Sequence, residues 1–270
     1  MGDFSDFARS WGPADSVVHI GAGHCLEAEA YLAGTAARIM LIEAVPALAA
    51  DLRSRFVGEP RITVTEAAIS GRGGAARLRV FNSAAANSLR KPKKIFERYP
   101  NLRMREERTI NTIAVSNLIE KFDLKPDAVN ALVVTWPGEE ASIVAALMET
   151  DIIRLFSHVA VRADIAGAYL DSQDANASAD ILLKAGYTIE IANDDDGSSR
   201  ISGSRNAQAL SISQSKAIEE QAAKAKEDLL KTTEALQETK HRTKMMAEEL
   251  SRLEGQLKLI KDVLLRDRAG

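Results

Sequence analysis

The run Ser16-Val17-Val18-His19-Ile20-Gly21-Ala22-Gly23-His24-Cys25-Leu26-Glu27 constrains the fold of this chain more than any other stretch. Val17, Val18 and Ile20 read as a strand buried on both faces, the pattern of the middle of a parallel sheet. Gly21 and Gly23 permit a tight turn and let backbone approach a ligand with no Cβ in the way. The residues that follow suit a helix whose first amides point at that turn. A second apolar run, 38–42, closes on Glu43, about twenty residues beyond the glycines. An acid at that strand end can accept hydrogen bonds from both ribose hydroxyls of an adenosine. Together these features describe a site for a nucleoside-bearing cofactor.

The rest of the first 200 residues repeats the alternation. Strands are expected at 16–20, 38–42, 61–65, 76–81, 110–115, 131–135, 158–162 and 188–191. Helices are expected at 26–34, 46–56, 115–122, 139–149 and 172–185. Such alternation implies an α/β fold with crossover helices covering a doubly wound sheet. Gly71-Arg72-Gly73-Gly74 reads as a hairpin-like turn inserted in that scheme. The acidic run Asp194-Asp195-Asp196 lacks the spaced ligands and closing glutamate of a calcium loop, and reads as a turn.

A domain over 1–200 is expected to be followed by a Ser-rich linker at 201–215 and a long helix at 216–266. Ile218, Ala222, Ala225, Leu229, Thr232, Leu236, Thr239, Thr243, Met246, Leu250, Leu253, Leu257, Ile260 and Leu264 step by four and three without a skip. That is the seam of a coiled coil, on a helix roughly 70 Å long. It calls for a second copy or another partner helix, the alternative being a helix packed along its own domain.

Composition narrows the function classes. A net charge of −3 offers no broad attraction to nucleic acid or anionic membrane, and at 5% aromatic there is little to stack bases on. The tail from Arg205 holds 13 basic and 11 acidic residues, against 22 and 27 before it, too mild a contrast for a nucleic-acid arm. A single cysteine fits a reducing compartment. With no signal peptide and no apolar run of transmembrane length visible, a cytoplasmic protein is expected.

Several segments in order resemble the FkbM family of S-adenosylmethionine-dependent methyltransferases. They are the glycine turn, Glu43-Ala44-Val45-Pro46, Ala67-Ala68-Ile69-Ser70, Asn87-Ser88-Leu89, Thr112–Leu118 and Leu182-Leu183-Lys184-Ala185-Gly186-Tyr187. The resemblance spans roughly residues 15–200 and implies a Rossmann-like methyltransferase sheet, S-adenosylmethionine as cofactor, and a hydroxyl of a small molecule or glycan as acceptor. It implies cofactor contacts from His19, Gly21, Ala22, Gly23, Glu43 and Ala68. On the acceptor side it implies Asn87 and Ser88, with Arg90 and Lys91 opening a basic rim for acidic groups. The chain departs from the family at four positions: His19, Thr135 and Pro137 stand where acids are usual, and Cys25 where a third glycine is. Threonine cannot replace a carboxylate base at neutral pH, which leaves His24, His19 or Glu139 for that work. The competing reading is a catalytically inactive descendant that serves as a binding or scaffolding head. His24 and Cys25 are adjacent ligands with no second pair in sequence, so no metal site is expected.

Overall fold

The structure, a computed structural model, describes residues 8, 11, 14–34, 36–163, 167–194, 197–205, 226, 229, 231–233 and 235–258. The chain divides into two compact units, Met1–Ala207 and Gln208–Gly270.

In the first unit β1 (Ser16–Ile20) and β7 (Asn130–Val134) are buried at every position, as their unbroken apolar runs require. β2 (Arg38–Glu43), β3 (Ile62–Glu66), β8 (His158–Ala163), β9 (Thr188–Asn193) and β10 (Ser199–Ser204) complete a seven-stranded sheet. Its order is β3-β2-β1-β7-β8-β10-β9, with β10 antiparallel to both neighbours and the other pairings parallel. This is a Rossmann-like sheet, and its order reverses between β1 and β7. Alternation along the strands sends Val18, Ile20, Leu132 and Val134 into one core and Val17, Ile39, Ala131 and Val133 into the other. Helices α1 (Ala28–Ala33) and α2 (Pro46–Arg55) close the second core through Tyr31 and Leu52. The first core is closed by helices that follow the insertion described next.

That insertion is a second sheet, β4-β6-β5, between β3 and β7. β4 (Ile69–Ser70) runs parallel to β6 (Met104–Ala114), and β5 (Gly74–Phe81) antiparallel to it. The Gly71–Gly74 turn therefore does not close a hairpin: the strands on either side of it flank β6 instead of pairing with each other. The outer half of β6, MREERT, has no apolar alternation because both its faces are solvated. Charge pairs hold it there, with Arg79 2.8 Å and Arg77 3.8 Å from Glu107 across the ribbon. Beneath the ribbon Phe81, Ile95, Leu102 and Tyr169 form a small core that contains α3 (Ile95–Arg98). Beyond the insertion come α4 (Val115–Ile119), α5 (Glu140–Glu149) and α6 (Ala175–Lys184), which supply Leu118, Ile143, Leu147 and Leu182 to the first core.

One boundary differs from expectation. The Ser-rich residues 201–204 are not linker but β10, where Ile201 is fully buried between β8 and β9. Small residues suit that strand: a Cβ on Gly203 would lie 3.2 Å from the Tyr187 ring. In the second unit residues 235–258 are helical, with Leu236, Met246, Leu250, Leu253 and Leu257 all more than half exposed. Seam positions 218, 222, 225, 260 and 264 lie outside the described residues. No helix among the described residues is long and apolar enough to cross a membrane.

Candidate functional site

Parallel registry brings the carboxyl ends of β1, β2 and β7 level, with Ile20 opposite both Ile42 and Val134. The segments that leave those strands wall a cavity of about 410 Å³ at the reversal point, a size that suits a small-molecule cofactor. Gly21, Ala22, Gly23 and His24 form one side, Glu43 another, and Thr135, Trp136, Pro137 and Glu140 a third.

The turn depends on Gly21. Its φ is +81°, and a Cβ there would meet Trp136 N and Cα at 2.9 Å. Because those contacts are backbone, they cannot swing aside. Gly21→Ala should lower stability by about 2–4 kcal/mol, a fall in Tm of about 5–15 °C by calorimetry. An unchanged Tm would show that the turn has room the geometry denies.

Glu43 is 2% exposed. Its Oε2 accepts from Gly23 N at 2.7 Å and its Oε1 from Val45 N at 2.8 Å, so the carboxylate ties the β2 end to the glycine turn. A carboxylate has about four acceptor positions, and with the amides of Gly23, Val45 and Ala44 directed at it, capacity for a hydroxyl donor is left. Burial raises its pKa above the ordinary carboxylate value, and the backbone donors at Val45 and Gly23 oppose that shift.

His19 lies beneath the turn and does not line the cavity. The Thr135 hydroxyl donates to Gly21 O at 2.8 Å, so its oxygen must accept from His19 Nε2–H, also at 2.8 Å. The other ring nitrogen, Nδ1, is left unprotonated and accepts from the Tyr31 hydroxyl at 3.1 Å. Burial holds the imidazole below its usual pKa, hence neutral. His19 is thus a core group, and Thr135 is its partner.

Several expected site residues serve as braces instead. Ala68 is buried away from the cavity, its carbonyl accepting from Ile113 N. Asn87 is 2% exposed and accepts from Phe81 N, closing the 81–87 turn. Ser88 donates to Pro137 O at 2.6 Å and accepts from Arg90 N, pinning the insertion to the segment after β7. Arg90 Nε meets Glu139 Oε1 at 2.6 Å, and Ser142 donates to Glu139 Oε2 at 2.7 Å. Glu139 is therefore committed to a guanidinium and faces away from the cavity, which makes it a poor base. Lys91 is exposed outside the cavity wall, its carbonyl accepting from Leu170 N. The expected basic rim is thus not part of that wall, where Arg162 from β8 is the cationic residue.

Residues that sequence reasoning passed over take those places. Asn82, Ser83 and Tyr99 of the insertion reach the cavity, as does Glu140, buried at 4%. Asn82 is positioned by Arg103 N donating to its Oδ1 and by its own Nδ2 donating to Asn101 O. Glu140 carried a signal, since it matches an acid of the resembled family; Asn82 and Tyr99 carried none.

No family model matches the chain, and no curated protein matches it. Solved structures similar in fold include a putative tRNA (m1A22) methyltransferase from Streptococcus pneumoniae in complex with S-adenosyl-L-methionine. It is 10% identical, with TM-score 0.44 over 76% of this chain and 73% of that one. A precorrin-6y C5,15-methyltransferase from Geobacter metallireducens is 15% identical, with TM-score 0.41 over 75% and 87%. Fibrillarin from Aeropyrum pernix, with natively bound S-adenosyl-L-methionine, is 13% identical, with TM-score 0.36 over 72% and 67%.

Proposed function

We propose that the cavity binds S-adenosylmethionine and that the chain is an FkbM-like O-methyltransferase acting on a hydroxyl of a small molecule or glycan. The observation that carries this is Glu43: a buried carboxylate at the end of β2, held at the cavity wall by the amide of the glycine turn, with acceptor capacity to spare. It suits the ribose hydroxyls, while the Gly21–Gly23 backbone suits the methionine portion. The cofactor supplies an electrophilic methyl group when bound. Glu140 takes the acceptor's proton, with His24 at the cavity wall as the alternative base, and Asn82, Ser83 and Tyr99 orient polar groups of the acceptor. Calorimetric titration with S-adenosylmethionine and S-adenosylhomocysteine tests the pocket. Micromolar binding is expected, and neither heat nor thermal shift from a folded sample would remove the reading.

A second reading keeps cofactor binding, or the fold alone, without turnover. Thr135 favours it, because the hydroxyl standing where the family has an acid is already engaged by His19 and Gly21. Cofactor binding with no methyl transfer across a hydroxyl-bearing panel would select it.

In either reading the second unit assembles copies of the chain through its heptad seam. The exposed leucines support this, as do the seam threonines. Thr239 donates to Ala235 O and Thr243 to Thr239 O, so each can enter an interface with its hydroxyl satisfied. Leu253→Glu with Leu257→Glu should reduce an oligomer to single-chain mass by light scattering; an unchanged mass would reject the seam.

A further inference from the structure

Beneath the glycine turn three potential metal ligands from one short stretch converge. His19 projects from β1, and the chain reverses at Gly21–Gly23. Cys25 has a left-handed backbone, φ 44°, and its Sγ lies 3.7 Å from His19 Nδ1. The Glu27 carboxylate completes the group, with all three ligand atoms within 4.8 Å of one another. The histidine is oriented as metal-bound histidines are: its Nε2–H donates to Thr135, which is itself fixed by Gly21 O, so Nδ1 is the unprotonated nitrogen, approached by the Tyr31 hydroxyl at 3.1 Å and the cysteine at 3.7 Å. A tetrahedral zinc site places nitrogen and sulfur ligands about 3.5 Å apart, close to the separation found. Glu27 is partly exposed, so its carboxylate has freedom to close from within 4.8 Å of the other two ligand atoms to the shorter spacing that three bonds to one ion require.

We propose that His19 Nδ1, Cys25 Sγ and the Glu27 carboxylate bind a zinc-class divalent cation, with the fourth position taken by water or the Tyr31 hydroxyl. Charge balance favours this occupant. A neutral imidazole, a thiolate and a carboxylate bring two negative charges, so a divalent ion makes a neutral centre with little cost of burial. Binding requires the thiolate, so the thiol gives up its proton to solvent as the ion enters. Binding would displace that proton and the Tyr31 hydrogen bond, and would clip β1, the turn and the start of α1 together. The adjacent His24 is not a ligand: its ring points to Asp51, 3.9 Å away. The proposal does not depend on S-adenosylmethionine binding.

The sequence holds one cysteine, which makes the test specific. The full chain, freed of any affinity tag and treated with chelator, is titrated with Co²⁺ and followed by absorption. A thiolate-to-cobalt charge-transfer band can come only from Cys25. The expected result is one Co²⁺ per chain with that band, bleached by added Zn²⁺. Cys25→Ser should lose the band, and Glu27→Gln should weaken binding by about tenfold or more. Wild-type protein that takes up no Co²⁺, or binds it without the band, overturns the proposal. Because no cofactor is present, that failure is distinct from failure of the methyltransferase reading.

Discussion

Glu43→Ala is expected to abolish S-adenosylmethionine binding, lowering affinity by about 100-fold or more. The variant removes the proposed ribose acceptor and also releases Gly23, so the turn that faces the methionine portion loses its anchor. The part-buried amide of Gly23 and the buried amide of Val45 are left without their acceptor. Hydrogen bonds to charged groups contribute about 1.5–3 kcal/mol each, offset by the cost of burying the carboxylate, so a net loss of about 2–4 kcal/mol is expected. Calorimetry reads both effects, as heat of titration and as a fall in Tm. Undiminished binding by a folded Glu43→Ala protein would move the cofactor away from this wall.

Glu43 also gives the pocket a pH dependence of defined sign. Its pKa in the ligand-free fold is raised by burial, so folding favours the protonated form. Its contribution to stability is present below the ordinary carboxylate pKa and is lost as pH rises through the raised value. Hydroxyl donors from a bound ribose favour the ionised form and pull the pKa back down. The thermal shift produced by S-adenosylmethionine should therefore grow as pH rises through that range. A shift that instead shrinks with rising pH would contradict hydroxyl donation to Glu43.

The second large effect is at Glu140. Glu140→Gln preserves shape but removes the base, and should lower methyl transfer by about 10²–10⁴-fold while leaving cofactor affinity within about threefold. Turnover is followed by formation of S-adenosylhomocysteine. Full activity in the variant would pass the role to His24, which lines the same cavity. The pairing of Glu139 with Arg90 makes a contrasting forecast for the neighbouring position: Glu139→Gln acts on stability by freeing a guanidinium, not on proton transfer.

These two glutamates mark how far the chain can be read without coordinates. Both sit at the start of one helix, carry the same side chain and lie close to the strand end. Successive helical residues differ by about 100° in direction, so one faces Arg90 and the other the cavity. Apart from the match of Glu140 to the resembled family, nothing in the sequence distinguishes them, because Arg90 arrives from a segment 49 residues away. The resemblance put the braces Asn87 and Ser88 on the acceptor side, yet burial turned them to backbone partners. The open positions went to Asn82 and Tyr99, which reach the cavity only through the packing of the inserted ribbon.

What the amino-acid sequence determined by itself is the sheet centre and its turn. Val17, Val18, Ile20 and the run Ala131–Val134 can be satisfied only by burial on both faces, and Gly21 only by a tight, crowded turn. Glu43 follows from the same local logic, one strand over. The tertiary structure alone decided which polar groups face ligand and which face protein. It gave strand status to the charged half of β6 and to the Ser-rich β10, because partner strands supply hydrogen bonds that no periodicity announces. It also brought His19, Cys25 and Glu27 together, since a chain reversal converts separation along the sequence into contact between side chains.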